Sequence, residues 1–452
     1  MRVFFLLVTV SLLLCADALQ VPSSRSTPRL QPLTAAAATF AGNALVASQT
    51  WSNLKQARDN ELGEMCVAIA NGLLVGTAIK NAKRLLVLIE TSRYPSAVFS
   101  VSPLLGGVLV SLLYLLQPDM MIGAASIGSV EGFSLKRQIL RFVAVLVAVG
   151  SGNALALAGP AAELGMSTAR LISGGASRGN GLSRSLILGG AAAGFTANFD
   201  SPIAGILYAL EVSKRAVNIP RDENRPPHRE LCLLVLSAFA SSIALRGCFG
   251  LGSYTKGPLA SFAYPQLASN HYPSLLLIAG TAGALVPFIQ GPLKRCIGKI
   301  YDAVPKLIRP ALGGGIASLA QMRGLPQSLP AIYKYFGQFA SGKLTTYALV
   351  QFMATKAVCT QSCIMSGQIG GMIAPFLIVG SALGALIGNW VDSNVIASFA
   401  AIGSASVLSA FYQAPLAFAI LIVEMTQQLH LAVPLLIVGS LSVAVSDAIR
   451  MK

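Results

Sequence analysis

Ten apolar runs follow one another along the chain, at 63–79, 97–117, 138–158, 186–212, 231–249, 274–290, 345–360, 371–391, 395–424 and 431–448. The polar intervals between them are too short to fold as separate domains. A helix needs about 20 apolar residues to cross the hydrocarbon core, so the pattern predicts a bundle of transmembrane helices. The longest runs predict pairs of short, tilted or broken helices. Gly and Pro sit inside the apolar runs, which bundled membrane helices tolerate and soluble helices seldom do. The expected class is an all-α polytopic membrane protein.

Composition strengthens that reading. Of the 452 residues, 54% are hydrophobic and 11% charged, with a mean hydropathy of +0.67. No soluble core of this size could hide so much apolar surface, so lipid is the expected solvent. Lys and Arg outnumber Asp and Glu by 33 to 17, a net charge of +16 that would suit a nucleic-acid binder. The basic residues fall instead in short clusters: Lys80, Lys83 and Arg84; Lys136, Arg137 and Arg141; Lys214, Arg215, Arg221, Arg225 and Arg229. Such clusters read as topology signals between spans, and no nucleic-acid partner is expected.

Candidate enzyme chemistry is thin. The seven cysteines show no C-x-x-C spacing and read as small core residues. His228, His271 and His430 are too scattered for a metal centre or a triad. Gly175, Ser177 and Gly179 formally satisfy G-x-S-x-G, but they stand in a polar, Gly-rich stretch with no strand before it and read as a flexible loop. No catalytic residue, cofactor or metal is expected.

The amino-terminal segment reads as an address. Met1 and Arg2 precede an apolar stretch from Val3 to Leu14, and Ala16, Asp17 and Ala18 supply a signal-peptidase pattern, so residues 1–18 read as a signal peptide. Residues 19–60 are nearly free of acid and carry Ser- and Arg-rich sequence at Ser23 to Arg29, a transit-like presequence. Signal followed by transit points to a plastid membrane, thylakoid or envelope. The alternative is a secretory signal alone, leading to the endomembrane system or plasma membrane.

The apolar region repeats itself. Gly190 to Glu211 matches Gly403 to Glu424 at Gly190/Gly403, Ala192/Ala405, Ala197/Ala410, Pro202/Pro415, Ala204/Ala417 and Glu211/Glu424. Upstream, Ser151, Gly152, Pro160 and Gly165 recur as Ser366, Gly367, Pro375 and Gly380 at identical spacing. The chain reads as two homologous halves, 61–260 and 261–449. Repeats with matching Gly and Pro interruptions mark folds whose binding site lies between the halves, at the ends of discontinuous helices. A broken helix offers unpaired N–H groups and a positive dipole end at its N-terminus, so an anion could be held without a buried Lys or Arg.

These motifs resemble the CLC family of chloride channels and anion/proton exchangers. Ser151 to Pro160 is similar to the family segment that contains Gly-Arg-Glu-Gly-Pro, and Gly189 to Glu211 to its Gly-Ala-Ala-Ala-Gly segment ending in Glu. Ser366 to Pro375 is similar to Gly-Gly-x-Phe-x-Pro, and Ala414 to Thr426 to the closing segment. The resemblance implies a CLC-type inverted repeat with broken helices, assembled as a homodimer with a pore in each subunit. It implies an anion held by backbone N–H groups near Ala158 and Gly159 in the first half and near Met372 and Ile373 in the second. Ala124 or Ser126, within Gly123 to Gly128, would take the place of the family's pore-lining Ser. The chain ends before the family's pore Tyr and before any nucleotide-binding CBS pair, so neither is expected.

Two departures bear on mechanism. The family's gating Glu aligns with Ala158 and the adjacent Arg with Leu157; the internal proton Glu of exchangers aligns with Val212. The sequence therefore predicts a channel, voltage- or gradient-driven, for chloride or another small anion. The alternative is a proton-coupled chloride or nitrate exchanger on the same fold. A third reading is a degenerate membrane protein with a structural or regulatory role. Glu211 and Glu424, carboxylates at membrane depth, read as helix-end residues, and Asp200 as a cap or turn residue.

Overall fold

The computed structural model describes residues 61–93, 98–117, 134–172, 182–213, 227–246, 259–260, 262–325, 327 and 329–451. Both presequence segments, Ala124, Ser126, the Gly175–Gly179 motif, and Lys214 and Arg215 lie outside them.

Among the described residues the fold is helical. The first half holds α1 (Glu61–Arg93), α2 (Val98–Leu116), α3 (Leu135–Gly150), α4 (Ala158–Ile172), α5 (Leu182–Phe199), α6 (Pro202–Tyr208, continued by a π turn Ala209–Ser213) and α7 (Pro227–Arg246). The second holds α8 (Tyr272–Phe288), a π turn Ile289–Leu293, α9 (Lys294–Asp302), α10 (Arg309–Met322), α11 (Leu329–Ala340), α12 (Thr346–Met365), α13 (Ile373–Val391), α14 (Ile396–Tyr412), α15 (Pro415–Thr426) and α16 (Ala432–Arg450). Six helical stretches among them are long and apolar enough to cross a membrane. Two of those, Ile373–Val391 and Ser393–Tyr412, are 89% buried, so protein and not lipid surrounds them.

The breaks follow from local chemistry. Run 186–212 divides where Asp200 takes a left-handed conformation (φ 55) ahead of Pro202, and run 395–424 divides where Gln413 does the same (φ 57) ahead of Pro415. Proline has no N–H to lose at the first helical position and fixes φ there, so each opens the next helix. At the ends of α3 and α12, Gly152 (φ 94) and Gly367 (φ 92) close matching Schellman turns. In one, Gly152 N–H donates to Val149 O and Asn153 N–H to Ala148 O; in the other, Gly367 N–H donates to Ile364 O and Gln368 N–H to Cys363 O.

Packing repeats the same symmetry. A Cβ on Gly165 would stand 1.9 Å from Gly190 O, and one on Gly380 would stand 2.3 Å from Gly403 O, so the α4–α5 and α13–α14 crossings need glycine for backbone contact. Across the halves, a Cβ on Gly107 would meet Pro310 O at 2.2 Å and one on Gly314 would meet Pro103 O at 2.1 Å. The same two carbonyls accept the amides of Asn153 (3.1 Å) and Gln368 (2.7 Å). Thus α2 and α10 lock against each other and against both Schellman turns.

Three expectations need correction. Helices α9, α10 and α11 fall outside the apolar runs. Lys80, Lys83 and Arg84 lie within α1 and not between spans; Lys83 donates to Ala197 O and Asn198 O, the last carbonyls of α5. From the other basic clusters, Arg141 pairs with Glu163 at 2.7 Å and Arg229 with Glu64 at 2.8 Å. A buried carboxylate, Glu64, and a partly buried one, Glu163, claim these cations, because an unpaired charge away from water is costly.

Candidate functional site

The two Schellman turns redirect the chain into extended segments that run to the N-termini of α4 and α13. There Ala156 N–H donates to Gly371 O at 2.8 Å and Gly371 N–H donates to Ala156 O at 2.6 Å, a single antiparallel bridge. Counted from the Ser-Gly turns, Ala156 and Gly371 are equivalent positions, so the bridge lies on the axis that relates the halves. A side chain at Gly371 would be a tight fit: a Cβ there would lie 3.0 Å from the Gly159 nitrogen and 3.1 Å from Ala156 O.

The bridge brings the expected anion-contact residues together. Ala158 and Ile373 are the first residues of α4 and α13, with Gly159 following the one and Met372 capping the other. The first amides of an α-helix have no intrahelical acceptor, and the dipole concentrates partial positive charge there. Two such ends converge where the side chains are methyl, hydrogen, thioether and sec-butyl. Ala158 is 0% and Ile373 1% exposed, while Gly159 and Met372 keep part of their surface open and form the accessible side of the juncture. Pro160 and Pro375 remove one further N–H from each first turn and fix its backbone. This arrangement can donate hydrogen bonds to an anion; its side chains supply neither nucleophile nor titratable group.

Val212 lies elsewhere, on the π turn after α6, partly buried against the core around α13 and α14. Glu211 and Glu424 do serve helix ends, but across the halves. Glu424 accepts from Ile203 N–H (3.1 Å) and Ala204 N–H (2.8 Å) at the start of α6, and Glu211 accepts from Ala417 N–H (2.8 Å) at the start of α15. Each short helix thereby caps the other. Asp200 is a turn residue, held by Ser242 (2.9 Å) and Arg246 (3.1 Å).

Sequence reasoning passed over Lys356, the single charge in run 345–360, which is 1% exposed on α12. A lone ionisable residue at membrane depth was signal enough. It also passed over the bridge itself, since nothing in the local pattern joins Ala156 to Gly371.

Converging helix N-termini inside an internally duplicated, largely apolar bundle define a membrane transport protein. A family profile described as "Voltage gated chloride channel" matches residues 121–447, and the chain belongs to that family, the CLC proteins, which are transporters and channels and not enzymes. It is 29% identical over 369 residues to "Chloride channel protein CLC-e" of Arabidopsis thaliana, covering 74% of this chain and 50% of that protein. It is 25% identical over 400 residues to the "H(+)/Cl(-) exchange transporter ClcA" of Citrobacter koseri, covering 80% of each. The chain spans about half the length of the plant relatives it matches, 50% of CLC-e and 46% of CLC-f. In fold it is similar to a slow cyanobacterial Cl-/H+ antiporter, with a TM-score of 0.72 at 20% identity over 85% of this chain and 94% of that one. A CLC-type fluoride/proton antiporter superposes with a TM-score of 0.66 at 21% identity, over 86% and 96%.

Proposed function

We propose that this protein is a passive channel for small anions, chloride foremost, with the ion held by the amides of Ala158 and Gly159 on one side and of Met372 and Ile373 on the other. The observation that carries the reading is Ala158: its buried methyl opens α4 at the position where an exchanger of this family, by motif resemblance, carries the competing carboxylate. A methyl neither titrates nor enters the anion's place. Val212 removes the second carboxylate in the same way. Selectivity then rests on helix ends and backbone dipoles in a narrow, apolar constriction.

The test is chloride and proton flux measured in the same liposomes. Chloride should run down its gradient with no proton movement, and the reversal potential should follow chloride alone. Uphill proton movement driven by chloride would establish the second reading, coupled exchange, which the likeness to exchange transporters such as ClcA favours.

Assembly as a homodimer is what the family resemblance implies, and apolar residues exposed on four neighbouring helices offer it one surface: Ile203 on α6, Leu416 on α15, Phe239 and Ile243 on α7, and Val433 and Ile437 on α16. A plastid destination rests on the signal-then-transit pattern of residues 1–60. A reporter fused to those residues should enter a plastid, and one fused to residues 1–18 should stay in the secretory pathway; a shared destination would refute it.

A further inference from the structure

Arg141 and Lys356 occupy equivalent positions, each ten residues before the Ser-Gly turn that ends its helix. Their surroundings differ. Arg141 is neutralised by Glu163, three residues after Pro160, with Nε–Oε2 at 2.7 Å and a second bond to Oε1 at 3.2 Å. Three residues after Pro375 the second half carries Ile378, fully buried. The carboxylate that balances the first cation is absent from the place where it would balance the second.

Among the described residues no carboxylate takes that place beside Lys356. Its ammonium donates to one neutral acceptor, Gln327 O, at 2.9 Å, and no carboxylate lies within ion-pair distance of it among the described residues. The neighbouring stretch 326–334 contains no Asp or Glu. One helical turn further along α12, Thr360 donates to Ala154 O at 3.1 Å, in the extended segment that leads to Ala156 and Ala158. A buried cation with no counter-charge is costly, and the helix that carries it is tied through Thr360 to the segment that leads to the juncture where the anion is proposed to sit.

We propose that Lys356 is the fixed counter-charge for the permeating anion, a positioning residue that raises anion occupancy through space and does so from one side of the bilayer only. The proposal rests on the anion-channel reading above. An inverted repeat relates Arg141 and Lys356 by its two-fold axis, so the proposal puts one on each side of the midplane, the first neutralised and the second not. At an effective dielectric near 20, a unit charge on the order of ten ångströms from a monovalent anion changes its occupancy about tenfold.

The experiment compares wild type with Lys356→Met, Lys356→Arg, Ile378→Glu, Ile378→Gln and Glu163→Gln, each purified whole. Two readouts are taken: the chloride concentration that half-saturates flux in liposomes, and the chloride-dependent rise of melting temperature in detergent. Lys356→Met and Ile378→Glu should each raise the half-saturating chloride several-fold to tenfold and shrink the thermal shift. Lys356→Arg and Ile378→Gln should stay near wild type. Glu163→Gln, which releases the charge of Arg141, should move the half-saturating concentration the other way, a gain that mere loss of packing would not produce. Unchanged chloride dependence in both Lys356→Met and Ile378→Glu, with wild-type flux intact, would overturn the proposal and leave the channel reading standing. Equal losses in Ile378→Gln and Ile378→Glu would overturn it as well, by showing a packing effect. Absence of wild-type flux with a Lys356-dependent thermal shift would sink the channel reading and support the counter-charge. Absence of both flux and thermal shift would sink the two together.

Discussion

At the scale of the residue, Ala158 decides what the juncture can do. It is the first residue of α4, fully buried, and the bridge between Ala156 and Gly371 holds it beside the start of α13. Ala158→Glu would place a carboxylate at a helix N-terminus, where the dipole favours negative charge, in competition with the anion. Chloride flux at neutral pH should fall by an order of magnitude or more. Protonation removes the competing charge, so flux should recover as pH falls through the range in which a carboxylic acid titrates. A flux assay across pH 7 to 4 checks this; a block indifferent to acid would mean that the side chain merely obstructs. Only part of the residue-level chemistry was legible in the sequence. Ala158, Gly159, Met372 and Ile373 could be aligned because Gly and Pro mark their helix starts. The partners of Glu211 and Glu424 could not, because each carboxylate caps a helix more than 200 residues away in the chain.

At the scale of the element, the breaks were legible and some helices were not. Pro202 and Pro415 announce the short helices α6 and α15, since proline within an apolar run must start something new. Helix α10, with three consecutive glycines at Gly313 to Gly315, carries too little apolar side chain to stand out as a run. Its glycines are there for contact: Gly313 lies against Ser366 and Gly314 against Pro103. The same need for contact sets a test at Gly165. Alanine raises helix propensity by about 1 kcal/mol over glycine, but its Cβ would press on the carbonyl of Gly190, and overpacking costs about 1–3 kcal/mol. Backbone cannot step aside as a side chain can, so the cost should win. Gly165→Ala should lower the melting temperature measured by circular dichroism in detergent, whereas Gly280→Ala, in open space on α8, should not lower it. Equal effects at the two sites would remove close helix contact as the explanation.

At the scale of the whole molecule, the apolar residues left uncovered on α6, α7, α15 and α16 bear on assembly. Ile203 and Leu416 are equivalent positions in the two halves and are each about half exposed, so the patch itself follows the internal symmetry. Light scattering of the purified protein in mild detergent should give the mass of a dimer. Leu416→Trp should shift it toward monomer without changing the helical circular dichroism. A wild-type monomer at micromolar concentration would remove the dimer.

The bridge between Ala156 and Gly371 has a further consequence. It joins one position to that same position in the other half, and were the halves identical a residue would be paired with its own copy. That is the geometry of an isologous interface, the contact two separate chains make across a two-fold axis. The fold is in this sense a dimer written into one polypeptide, and covalent linkage has released it from the rule that both copies change together. A true homodimer would have carried Glu163 twice or not at all; this chain keeps the acid in one half and isoleucine in the other, and so can build a polarity across the membrane that a symmetric pair of chains would be denied.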